Sequence, residues 1–202
     1  MMQTLDLPPK KRPRQARSQF TFDAIVEAAT RVLVARGYAG TTTNHIAEAA
    51  GVAIASLYEY FPNKDAIVAQ VAEQLRDRVV ASLKSRLPEV FAAAPDAAAT
   101  LWIRVIYQTM AREKAIVGVL YYQVPFTNQL KQVQEIMPVL MGFSDAMREG
   151  SGVKLKDAPA ELFLMINLVS STILQLVLDP PQQVSVERVL DALALRLREW
   201  LL

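Results

Sequence analysis

Residues 41–64, TTTNHIAEAAGVAIASLYEYFPNK, break into two short apolar-faced segments around a single glycine. Thr42 is suited to cap a helix over Thr43 to Ala50, because its hydroxyl can accept a free N–H of the first turn. Gly51 interrupts that helix, since a residue without Cβ enters unusual backbone conformations at little cost. A further short helix is expected over Ile54 to Tyr60. Ile46, Ala47, Val52 and Leu57 take the inward positions, and Ala47 is small enough for the next helix to cross close above it. Two short helices about a glycine-bearing turn make a helix-turn-helix. An ordinary corner between two helices of any helical protein would give similar spacing.

Working outward, helical periodicity continues almost everywhere and strand alternation is nearly absent. Phe22, Ile25, Ala29 and Leu33 mark a helix from about Ser18 to Arg36. Gly37 is expected as its left-handed terminator, with Tyr38 packing back onto the last turn. Pro62 and Asn63 stop the third helix and cap a long fourth one, Lys64 to Leu87, which Pro88 is expected to end. Beyond an Ala- and Pro-rich linker the helices lengthen: about 96–112, 114–123, 127–149, 158–178 and 185–201. Pro138 should kink one of them. Gly150-Ser151-Gly152 reads as a loop, and Asp179-Pro180-Pro181 as a tight turn. The expected fold is all-α: a three-helix N-terminal helix-turn-helix head joined by a long helix to a larger C-terminal bundle. Its expected parts are a basic flexible arm (1–17), a helix-turn-helix domain (18–63), a connecting helix (64–87) and a larger helical domain (88–202).

Composition narrows the chemistry. The 202 residues include no cysteine, one histidine, seven glycines and 11 prolines. Without cysteine there are no disulfides, thiolate zinc sites, iron–sulfur clusters or Cys nucleophiles. A solitary His45 argues against a metal site or a Ser-His-Asp triad; a solvated side chain is expected there. No catalytic group, metal or cofactor is expected. The formal net charge is +2, but residues 1–86 carry 12 basic and 8 acidic side chains and residues 87–202 carry 10 and 12. The run KKRPRQAR, residues 10–17, holds five cations and no acid. A basic front on a near-neutral body suits a polyanionic partner, although a solvated tail would look the same. That basic run leads into an amphipathic segment and not an apolar stretch, so no secretory signal is expected, and a reducing cytoplasm is. The longest charge-free stretch, Leu162 to Leu178, is too short and too polar for a membrane span.

Residues 17–75 resemble the N-terminal DNA-binding domain of the TetR family of transcriptional regulators. The resemblance rests on Ala28-Ala29, Arg36-Gly37-Tyr38, Thr41-Thr42 before Ile46-Ala47, Ala50-Gly51-Val52, Leu57-Tyr58-Glu59, Tyr60-Phe61-Pro62 and Asn63-Lys64. It implies that the third helix enters the major groove of double-stranded DNA, where base edges carry a readable code. Ala53, Ile54, Ala55 and Ser56 would then face bases, with apolar groups against thymine methyls. Tyr58 and Tyr60 match aromatic positions that touch phosphates or bases. Lys64 matches a backbone-clamping lysine, and Thr42 and Thr43 are placed to hold phosphates. Arg14 and Arg17 would reach the neighbouring backbone or minor groove. Many relatives carry Ser and Gly where this chain has Ala53 and Ala55, so a serine cap worth ~1 kcal/mol is missing.

For the bundle, the resemblance implies a homodimer reading a palindromic operator and responding to a small-molecule effector. Leu162, Ile166, Val169, Ile173, Val189, Leu193, Leu197 and Trp200 are the expected dimer interface, with an intramolecular core as the alternative. Trp102, Tyr107, Gln108, Met110, Tyr121, Gln123, Phe126, Met141 and Asn167 are the expected effector contacts, although Met and aromatic residues at helical spacing serve cores more often than pockets. Few charges in these helices point to a neutral, hydrophobic or aromatic effector. The leading reading is a ligand-released repressor. The alternatives are a nucleoid or division factor with no small effector, and an all-helical enzyme or lipid carrier.

Overall fold

The computed structural model describes residues 6–130 and 158–201, and these form eight α-helices with no strand among the described residues. They are α1 (Ala16–Arg36), α2 (Thr43–Ala50), α3 (Ile54–Tyr60), α4 (Lys64–Ala92), α5 (Pro95–Arg112), α6 (Lys114–Gln123), α7 (Ala158–Leu178) and α8 (Val186–Leu201). The fold is the expected all-α one. Two compact units divide the chain, and α4 runs from one into the other.

The first unit holds residues 6–77 and 115–130. Its core joins Phe22, Ile25, Val26, Ala29 and Leu33 of α1 to Ile46 and Ala47 of α2, Leu57 of α3, and Phe61. Phe22 stacks on Phe61 with ring centroids 4.9 Å apart. Residues 66–72 of α4 are buried on every side. Ile116, Val119 and Leu120 of α6, with Val124, Phe126 and Leu130 after it, join the same core. Helix ends here are set by local chemistry. Thr42 accepts from the His45 N–H at 3.2 Å, and Asn63 Oδ1 accepts from the Ala66 N–H at 2.8 Å, so α2 and α4 each have a side-chain cap. Gly51 closes α2 in the left-handed region, at φ 67° and ψ 31°. Gly37 also has positive φ, 68°, but ψ is 173°. That region is open essentially to glycine alone and differs from the left-handed helical turn the sequence suggests.

Pro88 does not end α4, which continues to Ala92. Pro88 forfeits one backbone bond, to the carbonyl four residues back, and the continuation buries Val90 on the same face as Leu83. After α6, residues Thr127–Gln129 form a single 3-10 turn and not the start of a long helix. Thr127 Oγ1 donates to the Val124 carbonyl at 2.8 Å, and the turn lets Phe126 and Leu130 both point inward. The rest of the helix expected over 127–149, with Pro138 and Met141, and the loop at 150–152 lie outside the described residues.

In the second unit α5 packs against both α7 and α8. Proline opens α5 in its first turn, where no N–H is needed. Trp102, Ile103 and Ile106 of α5 are buried together with Met165, Ile166, Ile173 and Leu176 of α7 and Leu190, Leu193 and Leu197 of α8. Four residues expected at a subunit interface, Ile166, Ile173, Leu193 and Leu197, are thus core of the single chain. An all-round apolar helix offers two faces for burial, and α5 takes this one. Val169 and Val189 are half-buried, and the side chains of Leu162 and Trp200 lie outside the described residues. The face that α7 leaves open carries Leu164, Leu168, Ser171 and Gln175 at helical spacing, with Phe163 beside it.

Candidate nucleic-acid interface

The third helix is short and exposed on one face. Leu57 faces the core, whereas Ala53, Ile54, Ala55 and Tyr58 are exposed and Ser56 is half-buried. Ala53 supplies no side-chain cap, as its chemistry requires. Other contacts hold α2 and α3 in register. The Thr43 and Tyr58 hydroxyls are 3.0 Å apart, and Arg31 of α1 donates to the Ala49 carbonyl at the end of α2 at 3.3 Å. A cation at that end also complements the helix dipole. Thr42 is exposed, but its oxygen already serves as the α2 cap. His45 is half-buried, with Nδ1 3.2 Å from the Gly40 carbonyl, so a ring N–H there ties the loop to α2.

Tyr60 departs from its expected role. It is 6% exposed, and its ring meets Phe22 edge-on at 6.0 Å, so it is a core residue rather than a phosphate contact. Its position, three residues beyond the inward-facing Leu57, carries it to the buried face. Tyr58, 41% exposed, stays outside.

Lys64 opens α4 and is held within the unit. Its ammonium donates to the Tyr38 carbonyl at 3.0 Å and lies 3.8 Å from the Tyr38 ring centroid, a cation–π contact. The Tyr38 hydroxyl donates to Asp65 Oδ1 at 2.7 Å. Burial, then this hydrogen bond and the Asp65 charge, push the Tyr38 phenol well above its ordinary range. From the other side, the Tyr38 N–H donates to Gln123 Oε1 at 3.0 Å, and the Phe126 ring meets Tyr38 edge-on at 6.0 Å.

The basic N-terminal run is largely docked. The Lys10 N–H donates to the Tyr60 carbonyl at 2.8 Å, and its ammonium donates to the Tyr58 carbonyl at 3.2 Å. Arg12 grips both Glu73 carboxylate oxygens, at 2.9 and 3.1 Å. Asn63 donates to the Asp6 carbonyl, and Leu7 packs against the core. Arg14 and Arg17 remain exposed. These contacts join residues some 50 to 60 positions apart, and no local sequence signal could have found them.

The sequence model of the bacterial regulatory proteins, tetR family, matches residues 25–71. That span covers α1 from Ile25, the whole of α2 and α3, and the start of α4. The match to the tetR-family model is thus confined to this helix-turn-helix segment. Solved structures share the fold across most of the chain. The fatty acid degradation regulator FadR from Bacillus halodurans is 16% identical, with a TM-score of 0.69 over 92% of this chain and 96% of that one. A candidate tetR-family transcriptional regulator from Mesorhizobium loti is 17% identical, with a TM-score of 0.71 over 93% and 97%. The transcriptional regulator FadR from Bacillus subtilis, in complex with stearoyl-CoA, is 17% identical, with a TM-score of 0.63 over 87% and 97%. No curated protein matches the sequence.

The residues expected to touch an effector are divided between the two units. Gln123 and Phe126 contact Tyr38 within the first unit, and Tyr121 is exposed with its ring against Tyr122. Trp102, Tyr107, Gln108, Met110 and Asn167 belong to the second unit. There Trp102 is buried, Tyr107 and Met110 are half-buried, and Gln108 is exposed. Asn167 donates to the Phe163 carbonyl of its own helix at 2.7 Å. Met141 lies outside the described residues.

Proposed function

We propose that this chain is a dimeric transcriptional repressor, not an enzyme, that acts in the cytoplasm and reads a palindromic operator through α3. The observation that carries the reading is the division of α3. One side is locked into the head core by Leu57 and Tyr60, and the other leaves Ala53, Ile54, Ala55 and Tyr58 uncovered. A small, mostly apolar surface on a short rigid helix suits the major groove, where thymine methyls and base edges are presented. Arg14 and Arg17 would add backbone or minor-groove contacts, with Thr43, Ser56 and Lys64 as further polar contacts. Lys64 would reach a phosphate from its seat on Tyr38. Two copies would join through the open face of α7, Leu164 and Leu168, presenting two α3 helices to two half-sites.

The proposed trigger is a small apolar effector. The relative that holds stearoyl-CoA supports an effector with an apolar chain. An effector that binds one arrangement of the dimer better than the other shifts the population away from DNA. The test selects duplexes from random DNA with the full chain and measures affinity by fluorescence anisotropy. Lys64→Ala should weaken binding to every duplex and reduce the salt slope by ~1. Selection of no duplex would overturn the reading. Titration with uncharged aromatic and aliphatic compounds, alongside stearoyl-CoA, tests the trigger. Release by none of them would leave a DNA-binding protein without this switch.

A further inference from the structure

The docked N-terminal run has a consequence for α3 that its charge alone conceals. A seven-residue helix with no N-terminal side-chain cap is marginal by itself. At its other end the carbonyls of Tyr58 and Tyr60 need donors. Lys10 supplies both, one from its backbone N–H and one from its ammonium, and places a cation at the negative end of the helix dipole. Lys11 adds its ammonium 5.9 Å from the Tyr60 ring centroid. Lys10 can sit there because the chain is pinned on both sides. Upstream, Leu7 packs on the core and Asn63 holds the Asp6 carbonyl. Downstream, one guanidinium nitrogen of the exposed Arg12 donates to both carboxylate oxygens of Glu73 in α4, whose side chain is only 17% exposed.

We propose that residues 6–12 are a strap that positions α3, with Arg12 and Glu73 as its clasp and Lys10 as the C-terminal cap of the helix. Arg12 and Glu73 are positioning residues that touch no nucleic acid. The cations left for DNA in this run are Arg14 and Arg17, delivered at a fixed distance beyond the clasp. The proposal rests on the DNA-binding reading for its functional consequence, but the strap itself is measurable without DNA.

The decisive variant is Glu73→Ala. Removing an acid from a DNA-binding head ordinarily tightens binding, because the net positive charge rises. The strap requires the opposite. Glu73→Ala should weaken binding to a duplex selected by the unmodified protein by roughly three- to fivefold, the range for one partly exposed ion pair. Arg12→Ala should do the same with an unchanged salt slope, and the double variant should be no worse than either single one. The exchange of Arg12→Glu with Glu73→Arg should restore most of the affinity. Limited trypsin digestion in the absence of DNA gives a second readout. Cleavage after Lys10 and Lys11 should accelerate in Glu73→Ala, while a mid-core peptide stays intact.

Two results would overturn the strap. One is unchanged or tighter binding by Glu73→Ala together with a flatter salt slope in Arg12→Ala, which would make Arg12 a phosphate contact. The other is unchanged cleavage at Lys10 and Lys11. If the unmodified protein selects no duplex, the DNA reading fails, and the digestion still decides whether the strap exists.

Discussion

The Thr43 and Tyr58 hydroxyls face one another at 3.0 Å, tying the first turn of α2 to the exposed side of α3. This bond lies at the surface and fixes the angle between two helices that otherwise meet through Ile46, Ala47 and Leu57. Thr43→Val and Tyr58→Phe each remove it and leave the core intact. Each should lower the affinity for a selected duplex by a similar factor, with stability changed by no more than about 1 kcal/mol. The double variant should lose less than the sum of the singles, because the two hydroxyls share one bond. Additive losses in anisotropy titrations would mean that the two hydroxyls act separately.

Two glycines with positive φ should respond differently to alanine. At Gly51 nothing lies within 4 Å of an added Cβ, so Gly51→Ala should cost only the backbone strain, about 1–2 kcal/mol. At Gly37 the backbone lies in a region still less open to alanine, and an added Cβ would run into the Gln123 side-chain amide that accepts from Tyr38. Gly37→Ala should therefore cost more, about 2–4 kcal/mol, in urea unfolding. Equal midpoints for the two variants would contradict the Gly37–Gln123 contact.

The two faces of α7 make separate predictions. Ile173 is fully buried within one chain, and Ile173→Ala should destabilise it by about 2–5 kcal/mol. Leu164→Glu combined with Leu168→Glu changes only the open face. That pair should leave helical content unchanged and convert a dimer to a monomer in light scattering. A dimer that survived both charges would move the proposed interface elsewhere.

Alkaline pH should loosen the head through Tyr38. Its phenol is raised in the folded state by burial, by donating to Asp65 and by the Asp65 charge, from an unfolded value of 10.0. A raised value means that the unfolded chain releases this proton first. The stabilisation is therefore complete below pH 10.0 and is lost as pH rises above it. Unfolding midpoints at about pH 8 and about pH 11 should fall apart less in Tyr38→Phe than in the unmodified protein. Identical losses would remove Tyr38 from the alkaline response.

Much of the head was legible because its signals are local. Thr42, Gly51 and Asn63 act on backbone groups within three or four residues, so α2, its terminator and the start of α4 fall where the sequence placed them. Tyr60 is not legible in this way, because an aromatic beside an exposed tyrosine looks alike in sequence whether it turns in or out; only the packing of Phe22 decides. The continuation of α4 past Pro88 is not legible either, because burial of Val90 farther along outweighs a local rule against proline. The α7 stripe reads as buried, but a helix apolar all round does not say which face meets its own chain. The contacts of Lys10, Arg12 and Gln123 were illegible for a plainer reason. Each joins positions that only the folded chain brings together.

The sharing of one hydrophobic core by α1–α3 and residues 115–130 bears on how such heads could be exchanged. Ile116, Leu120, Val124, Phe126 and Leu130 are encoded well downstream of the helix-turn-helix, yet they close the same interior. A chimera spliced after Asn63 would carry a new recognition surface onto a foreign inner lining, with Tyr38 deprived of Gln123. Swapping operator preference between relatives would thus require grafting two separate stretches of gene, or rewriting only the outer residues of α3 and leaving the interior untouched.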